Sequence, residues 1–174
     1  ELLAPYNDEP IVIVNKDGKE PINECLLKNN LHAKLVVQSM PRGMGDAVLC
    51  IENTPDFSNF EHVLLVWGDI PFIQAKTVTT MVNHHLEQDS DFTFVTRMVD
   101  QAYTVVIRDK LGNVARLMET REEIRTNLEP GERDIGLFIF RRSVTLPLLR
   151  DELPNKWGKS TGEHGFLYII EHLV

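Results

Sequence analysis

Short apolar runs alternate along the chain with longer segments in which apolar residues recur every three or four positions. Ile11–Val14 is a β-branched run, broken by Lys16-Asp17-Gly18. Lys34–Val37 is a second. Val63–Val66 is a third, unbroken and short, as suits a strand buried on both faces of a parallel sheet. Phe92–Thr96 and Gly136–Phe140 read as further strands. Tyr103–Ile107 and Val114–Met118 flank Lys110-Leu111-Gly112-Asn113, a hairpin turn. Helical spacing runs from Pro21, well placed in a first turn, to Leu27. It returns over Asp46–Ile51 and over Thr77–Leu86, whose stripe is Val78, Met81, Val82 and Leu86. Val144–Leu149 and Phe166–Val174 are the last helices. Pro5–Pro10, Gln38–Gly45, Asn53–Asn59 and Pro154–Gly162 are loops. The charged Arg121–Arg133, with Pro130-Gly131, reads as a mobile loop. Strands alternating with helices predict an α/β fold with a mostly parallel sheet and helices on both faces. Tyr103–Met118 is then a small antiparallel hairpin insertion.

Val63–Val66 has chemistry at its end. Trp67 and Gly68 close the run, Asp69 follows, and Pro71-Phe72-Ile73 turns the chain away. A carboxylate at the carboxyl end of a central parallel strand lies where open α/β sheets bind ligands. It can anchor Mg²⁺, a hard cation that takes few protein ligands. Locally, Asp69 serves equally well as a cap of the next turn or helix.

With 174 residues, 43% hydrophobic and 25% charged, the chain suits one domain with an ordinary core. The net charge of −8 argues against broad binding to nucleic acid or an anionic membrane. Cys25 and Cys50 form no CxxC pair and read as free, buried thiols of a reducing compartment. No apolar run nears the roughly 18 residues of a membrane span, and no signal-like start is seen. A cytoplasmic location is expected. His84 and His85 are adjacent on a helix and make a poor metal pair. His164 and His172 lie too far apart for another. All histidines are read as structural or exposed, Arg121–Arg125 and Arg141-Arg142 as solvated charges, and Arg42 as a candidate phosphate contact. Glu1–Ala4 reads as the tail of a helix, and Tyr168–Val174 stops inside an apolar period. Residues 1–174 are therefore expected to be a single domain cut from a longer protein.

Several spaced motifs then coincide. Gln38-Ser39-Met40-Pro41-Arg42-Gly43-Met44-Gly45-Asp46-Ala47 resembles the nucleotide loop of sugar-phosphate nucleotidyltransferases. Trp67-Gly68-Asp69-Ile70-Pro71-Phe72-Ile73 resembles their Tyr-Gly-Asp-x-Pro-Leu-Ile. Tyr103–Glu119, Glu132–Gly136 and Gly162-Glu163 follow in the family's order. The likeness is greatest to the uridylyltransferase domain of N-acetylglucosamine-1-phosphate uridylyltransferase, from about Ile11 onward.

The resemblance implies a Rossmann-like fold and a Mg²⁺-dependent transfer. A sugar-1-phosphate oxygen attacks the α-phosphorus of a nucleoside triphosphate, UTP by the likeness, and pyrophosphate leaves. Such transfer is mostly positioning and charge neutralisation. Asp69 would be the metal ligand and catalytic carboxylate. Gln38, Gly43, Met44, Trp67 and Gly68 would hold the nucleotide: the Gln38 amide both donates and accepts, and Gly43 lets the base approach the backbone. Thr104, Glu119 and Asp134 would face the sugar. The partners implied are the two substrates, with neither nucleic acid nor membrane, and a homo-oligomer is allowed.

The chain also departs from the family. Its Gly-rich triphosphate loop and its second metal ligand, an Asn, have no counterpart here, so residues 1–174 alone should not catalyse. Met44 stands for a Thr, Thr104 falls near a Gly, Asp134 replaces an Asn, and Leu167-Tyr168 replaces Thr-Asp. A regulatory module that binds a nucleotide or nucleotide-sugar without chemistry is the alternative. A metal-dependent glycosyltransferase fits less well, because Asp69-Ile70-Pro71 is not Asp-x-Asp.

Overall fold

The computed structural model describes residues 2–55, 57–122, 129–151, 153–154 and 156–174. The chain opens with a parallel pair. β1 (Ile11–Asn15) and β2 (Lys34–Gln38) are joined by α1 (Lys19–Lys28), with Ile13 opposite Val36. Asn30, at φ 52°, ends α1: its N–H donates to Leu27 O and that of Leu31 to Leu26 O, which satisfies the last helical carbonyls. Leu2–Ala4 is not helical. Leu3 to Tyr6 instead form a turn closed by a Tyr6 N–H to Leu3 O bond.

α2 (Met44–Leu49) continues as a 3₁₀ turn, Cys50–Asn53, and leads to β3 (His62–Val66). α3 (Ala75–Glu87) crosses to β4 (Phe92–Val99). β5 (Thr104–Arg108) and β6 (Val114–Glu119) form the expected antiparallel hairpin. β7 (Gly131–Arg141) and α4 (Arg142–Arg150) follow, and a 3₁₀ segment, Leu167–His172, closes the chain.

The expectation of a mostly parallel sheet needs correction. β7 lies between β3 and β4 and runs antiparallel to both. The β3–α3–β4 crossover makes β3 and β4 co-directional. The hairpin then carries the chain back, so β7 enters the space between them from the opposite end. Val63–Val66 is accordingly not a central parallel strand. Among the described residues β3 is an edge strand, and each of its residues is only half-buried. The strand covered on both faces is β7. Its Phe138 and Phe140 meet Phe166, Leu146 and Leu149 on one face, and its Leu137 and Ile139 meet Val78, Met81 and Val82 of α3 on the other. Helical segments do cover both faces, as expected.

Other readings also shift. The buried stripe of α3 is Val78, Met81, Val82 and His85, while Leu86 is 53% exposed. Of the segment read as a mobile loop, Thr120–Glu122 forms a 3₁₀ turn, Gly131–Arg133 belongs to β7, and 123–128 lies outside the described residues. Arg141 is no solvated charge: it bonds Glu61, Asp89 and Asp91. Arg142 lies over the Phe57 ring at 4.8 Å. Both cysteines are free thiols, but Cys25 is exposed. Among the described residues no helix is long and apolar enough to cross a membrane.

Candidate functional site

The loop after β2, the turn after β3, the open end of the β5–β6 hairpin and the segment before the final 3₁₀ turn surround one cavity of about 810 Å³. Gln38, Gly43 and Met44 line one wall. Trp67, Gly68 and Asp69 line another, and Thr104 and Glu119 a third. The last two are direct partners across the hairpin, which is why residues 15 apart in sequence meet here. Of the residues expected to form the site, Asp134 and the candidate phosphate contact Arg42 are not on its wall.

Each wall has a local cause. Trp67 N–H donates to Gly136 O at 3.0 Å. Gly136 has φ 74°, and a Cβ there would lie 3.0 Å from Ile70 and 3.1 Å from the Trp67 ring. A glycine in β7 thus lets the Trp67–Ile70 turn lie flat against the sheet. Asp134 lies behind this wall, fully buried. Its Oδ2 accepts from Thr104 Oγ1 at 2.6 Å and its Oδ1 from Gly136 N–H at 2.9 Å. It therefore braces the site from below instead of facing a sugar. Thr104 spends its hydroxyl hydrogen on Asp134, so only its oxygen lone pairs remain for a ligand.

The Gln38–Ala47 loop is tied to a distant segment around His164. His164 N–H donates to Arg42 O at 2.6 Å, and Gly45 N–H donates to His164 O at 2.9 Å. Gly43 has φ 114°, and a Cβ there would lie 2.6 Å from His164 O. The need for glycine at 43 thus comes from the chain packed behind it, whatever approaches from the cavity. Gln38 also differs from expectation. Nε2 donates to Gly43 O at 3.1 Å and to Asp46 Oδ2 at 3.0 Å. The amide that was to donate and accept has only its oxygen left.

Several wall residues escaped the sequence reading. Arg121, read as a solvated charge, donates from Nε to Glu119 at 2.6 Å and from Nη2 to Glu163 at 3.1 Å. Burial works against its charge, but the two carboxylates prevail and raise its pKa. His164 is 2% exposed, packs on Trp157 with centroids 5.1 Å apart, and has no partner at Nε2 among the described residues. Burial, then Lys156, hold its pKa below the usual imidazole value. Glu163 lay inside a quoted motif. Arg121 and His164 carried no such signal, since only tertiary contact places them. Arg42, the candidate phosphate contact, pairs with Asp46 at 2.9 Å.

Among the described residues the wall carries three carboxylates, Asp69, Glu119 and Glu163, against one guanidinium. Asp69 is exposed at the rim, with no hydrogen bond or ion pair to another described residue. No cluster of three or more metal-ligating side chains occurs among the described residues. A lone free carboxylate fits a Mg²⁺ that keeps most of its waters or arrives with a phosphate, and does not fit a closed protein cage.

No protein-family model matches the chain. Its sequence is 31% identical over 135 residues to the bifunctional protein GlmU of Thermoanaerobacter pseudethanolicus, covering 76% of this chain and 28% of that protein. It is 27% identical over 176 residues to GlmU of Clostridium tetani, covering 99% of this chain and 37% of that one. The chain thus spans roughly a third of the length of these curated relatives. Among solved structures, HddC from Yersinia pseudotuberculosis matches at a TM-score of 0.64 and 16% identity, over 94% of this chain and 72% of that one. The same protein complexed with GMP-PN matches at 0.59 and 16%, over 90% and 61%. These two show the fold. The sequence relatives carry the rest: the chain is related to the sugar-phosphate nucleotidyltransferase family that its motifs resemble, with GlmU proteins among its relatives.

Proposed function

We propose that this chain is the nucleotidyltransferase domain of a cytoplasmic enzyme that moves a nucleoside monophosphate from a nucleoside triphosphate, UTP by the likeness of its motifs, to a sugar-1-phosphate. The observation that supports this most is the gathering of Gln38, Met44, Trp67, Asp69, Thr104 and Glu119 around one cavity with the Asp69 carboxylate free at its rim. In this reading Gln38 and the Gly43–Met44 backbone seat the base, and Trp67 and Gly68 form the floor beside it. Glu119 and the Thr104 oxygen accept hydrogen bonds from sugar hydroxyls. Asp69 would hold Mg²⁺, which would supply the charge neutralisation that a triphosphate needs beside a wall whose described residues carry more carboxylates than cations. The protein's own part is to bring acceptor phosphate and α-phosphorus into line and to exclude bulk water.

In the full-length protein, Asp69→Asn is expected to abolish Mg²⁺-dependent pyrophosphate release without changing the melting temperature. Unchanged turnover would remove Asp69 from the mechanism. One observation favours the non-catalytic module: Glu119 is already held by Arg121. Nucleotide binding in the full-length protein without any pyrophosphate release would favour that second reading.

A further inference from the structure

His164 holds the Gln38–Ala47 loop by its backbone and by its ring. Its N–H donates to Arg42 O at 2.6 Å, and its O accepts from Gly45 N–H at 2.9 Å. A Cβ at Gly45 would lie within 2.9 Å of the ring atoms Cγ, Cδ2 and Nε2, so the ring lies flat on the backbone where α2 begins. Trp157 packs on the same ring, with centroids 5.1 Å apart. The residue is sealed in, and its buried Nε2 has no hydrogen-bond partner among the described residues. A proton on Nε2 would therefore make a buried, charged donor with no acceptor, which costs far more than an idle lone pair. The surrounding charges do not remove that cost. Arg42 of the loop and Lys156 of the segment bridged to His164 are cations, and Asp46 of α2 is already paired with Arg42 at 2.9 Å. The Glu163 carboxylate goes to Arg121. Tyr168 and His172 of the closing 3₁₀ segment border the same small void as the ring. Burial first, then Lys156, lower the pKa of the ring. Arg42 adds to them, while Asp46 and a hydrogen bond to the Leu149 backbone oppose them.

We infer that His164 is a positioning residue that makes the cavity's grip on a nucleotide depend on pH. Uncharged, the ring seats the loop. Protonated, it must reach water, so the 163–165 segment leaves Arg42 and Gly45, and the wall formed by Gly43 and Met44 loses its backing. The inference rests on the nucleotide reading of the cavity and adds a regulation to it. The seated loop disfavours the proton, whereas the released loop does not. Affinity is therefore full above about pH 6.5 and falls as pH drops below it, by at most about tenfold per pH unit for one proton. By the same linkage, nucleotide binding in that range expels a proton.

Calorimetric titration of the full-length protein with UTP in Mg²⁺ at pH 7.5 and pH 5.5 tests this. Wild type is expected to lose about tenfold more affinity across that interval than His164→Gln, whose side chain cannot be charged. Protonation of the nucleotide itself is common to both proteins and cancels in the comparison, and His172 remains in both. His164→Phe keeps a flat ring against Gly45 and decides the matter should the glutamine variant unfold. His85→Gln removes another buried imidazole whose pKa is lowered, but one that is not on the cavity wall, and should keep the wild-type loss. A folded His164 variant that weakens binding alike at both pH values, keeping the wild-type loss, gives His164 a structural role only. That result, or a loss abolished by His85→Gln instead, overturns the inference while the nucleotide site stands. Failure of wild type to bind UTP, CTP, GTP or ATP at pH 7.5 overturns the site reading itself, and this inference with it.

Discussion

Gly43 and Thr104 show how single atoms constrain the cavity. A side chain at 43 meets two penalties together, a left-handed φ of 114° and the His164 carbonyl at 2.6 Å. Gly43→Ala is expected to cost about 1–3 kcal/mol from the backbone strain alone, read as a lower urea midpoint. On the function proposed above, nucleotide affinity should fall with it, because the loop must leave the 163–165 segment. Thr104→Val keeps shape but removes the donor to Asp134, a fully buried carboxylate. The loss should be about 1–3 kcal/mol, the usual cost of a buried polar group left short of a partner; Thr104→Ser should restore most of it. Residue types at Gln38 and Asp134 were legible as polar groups near a ligand. Where their hydrogens and lone pairs point was not, since both partners of the Gln38 amide and both of Asp134 are set by folding.

At the scale of elements, α3 is fastened to the sheet by more than apolar contact. His85 is completely buried. Its Nε2 lies 3.0 Å from His62 Nδ1 on β3, and its Nδ1 lies 2.9 Å from Thr93 Oγ1 on β4. Burial first, then His62 and Arg141, lower its pKa, against smaller opposing effects of Asp91 and Asp89. The unfolded chain therefore binds the proton more tightly than the folded one. Stability from this group is full above about pH 6.5 and is lost as pH falls below it. His164 acts with the same sign. The melting temperature should drop between pH 7.5 and 5, and His85→Gln should flatten that slope. Glu132 belongs to a separate window. Hydrogen bonds from Arg108, then Thr96, hold its carboxyl at about 2 against the opposing effect of burial, so its contribution is lost only below about pH 4.5. The helical period located α3 but put Leu86 in the stripe where His85 lies. A polar ring with two partners can replace an aliphatic side chain in a core, and periodicity alone does not see the partners.

For the whole molecule, β7 is the member on which the other layers depend. Phe138 has no exposed surface, and its ring centroid lies 5.3 Å from that of Phe166 and 5.5 Å from that of Trp67. The same side chain thus joins the core to the cavity floor. Phe138→Ala should cost about 3–5 kcal/mol in a denaturant titration, and, on the function proposed above, the surviving folded protein should bind nucleotide more weakly than wild type because Trp67 loses its support. Phe138→Leu should recover much of the stability. The cavity itself exists only at this scale. Its described walls come from five separate stretches of chain, and the hydrogen bonds of Arg42 and Gly45 to His164 join stretches about 120 residues apart.

The amino-acid order alone determined the alternation of elements, the hairpin, the turn bearing Asp69, and the motifs that tie the chain to its relatives. Each of these depends on neighbours within about ten residues, through periodicity, turn chemistry and steric limits on the backbone. Only the tertiary structure decided that β7, not β3, is the strand covered on both faces, and that it runs antiparallel. Pairing direction is set by how a connection returns the chain, which local pattern does not encode. Folding also moved Asp134 behind the cavity, placed Arg121 and His164 on its wall, and left Gln38 only its oxygen. Those outcomes depend on which distant donor or acceptor satisfies a group once water has been excluded.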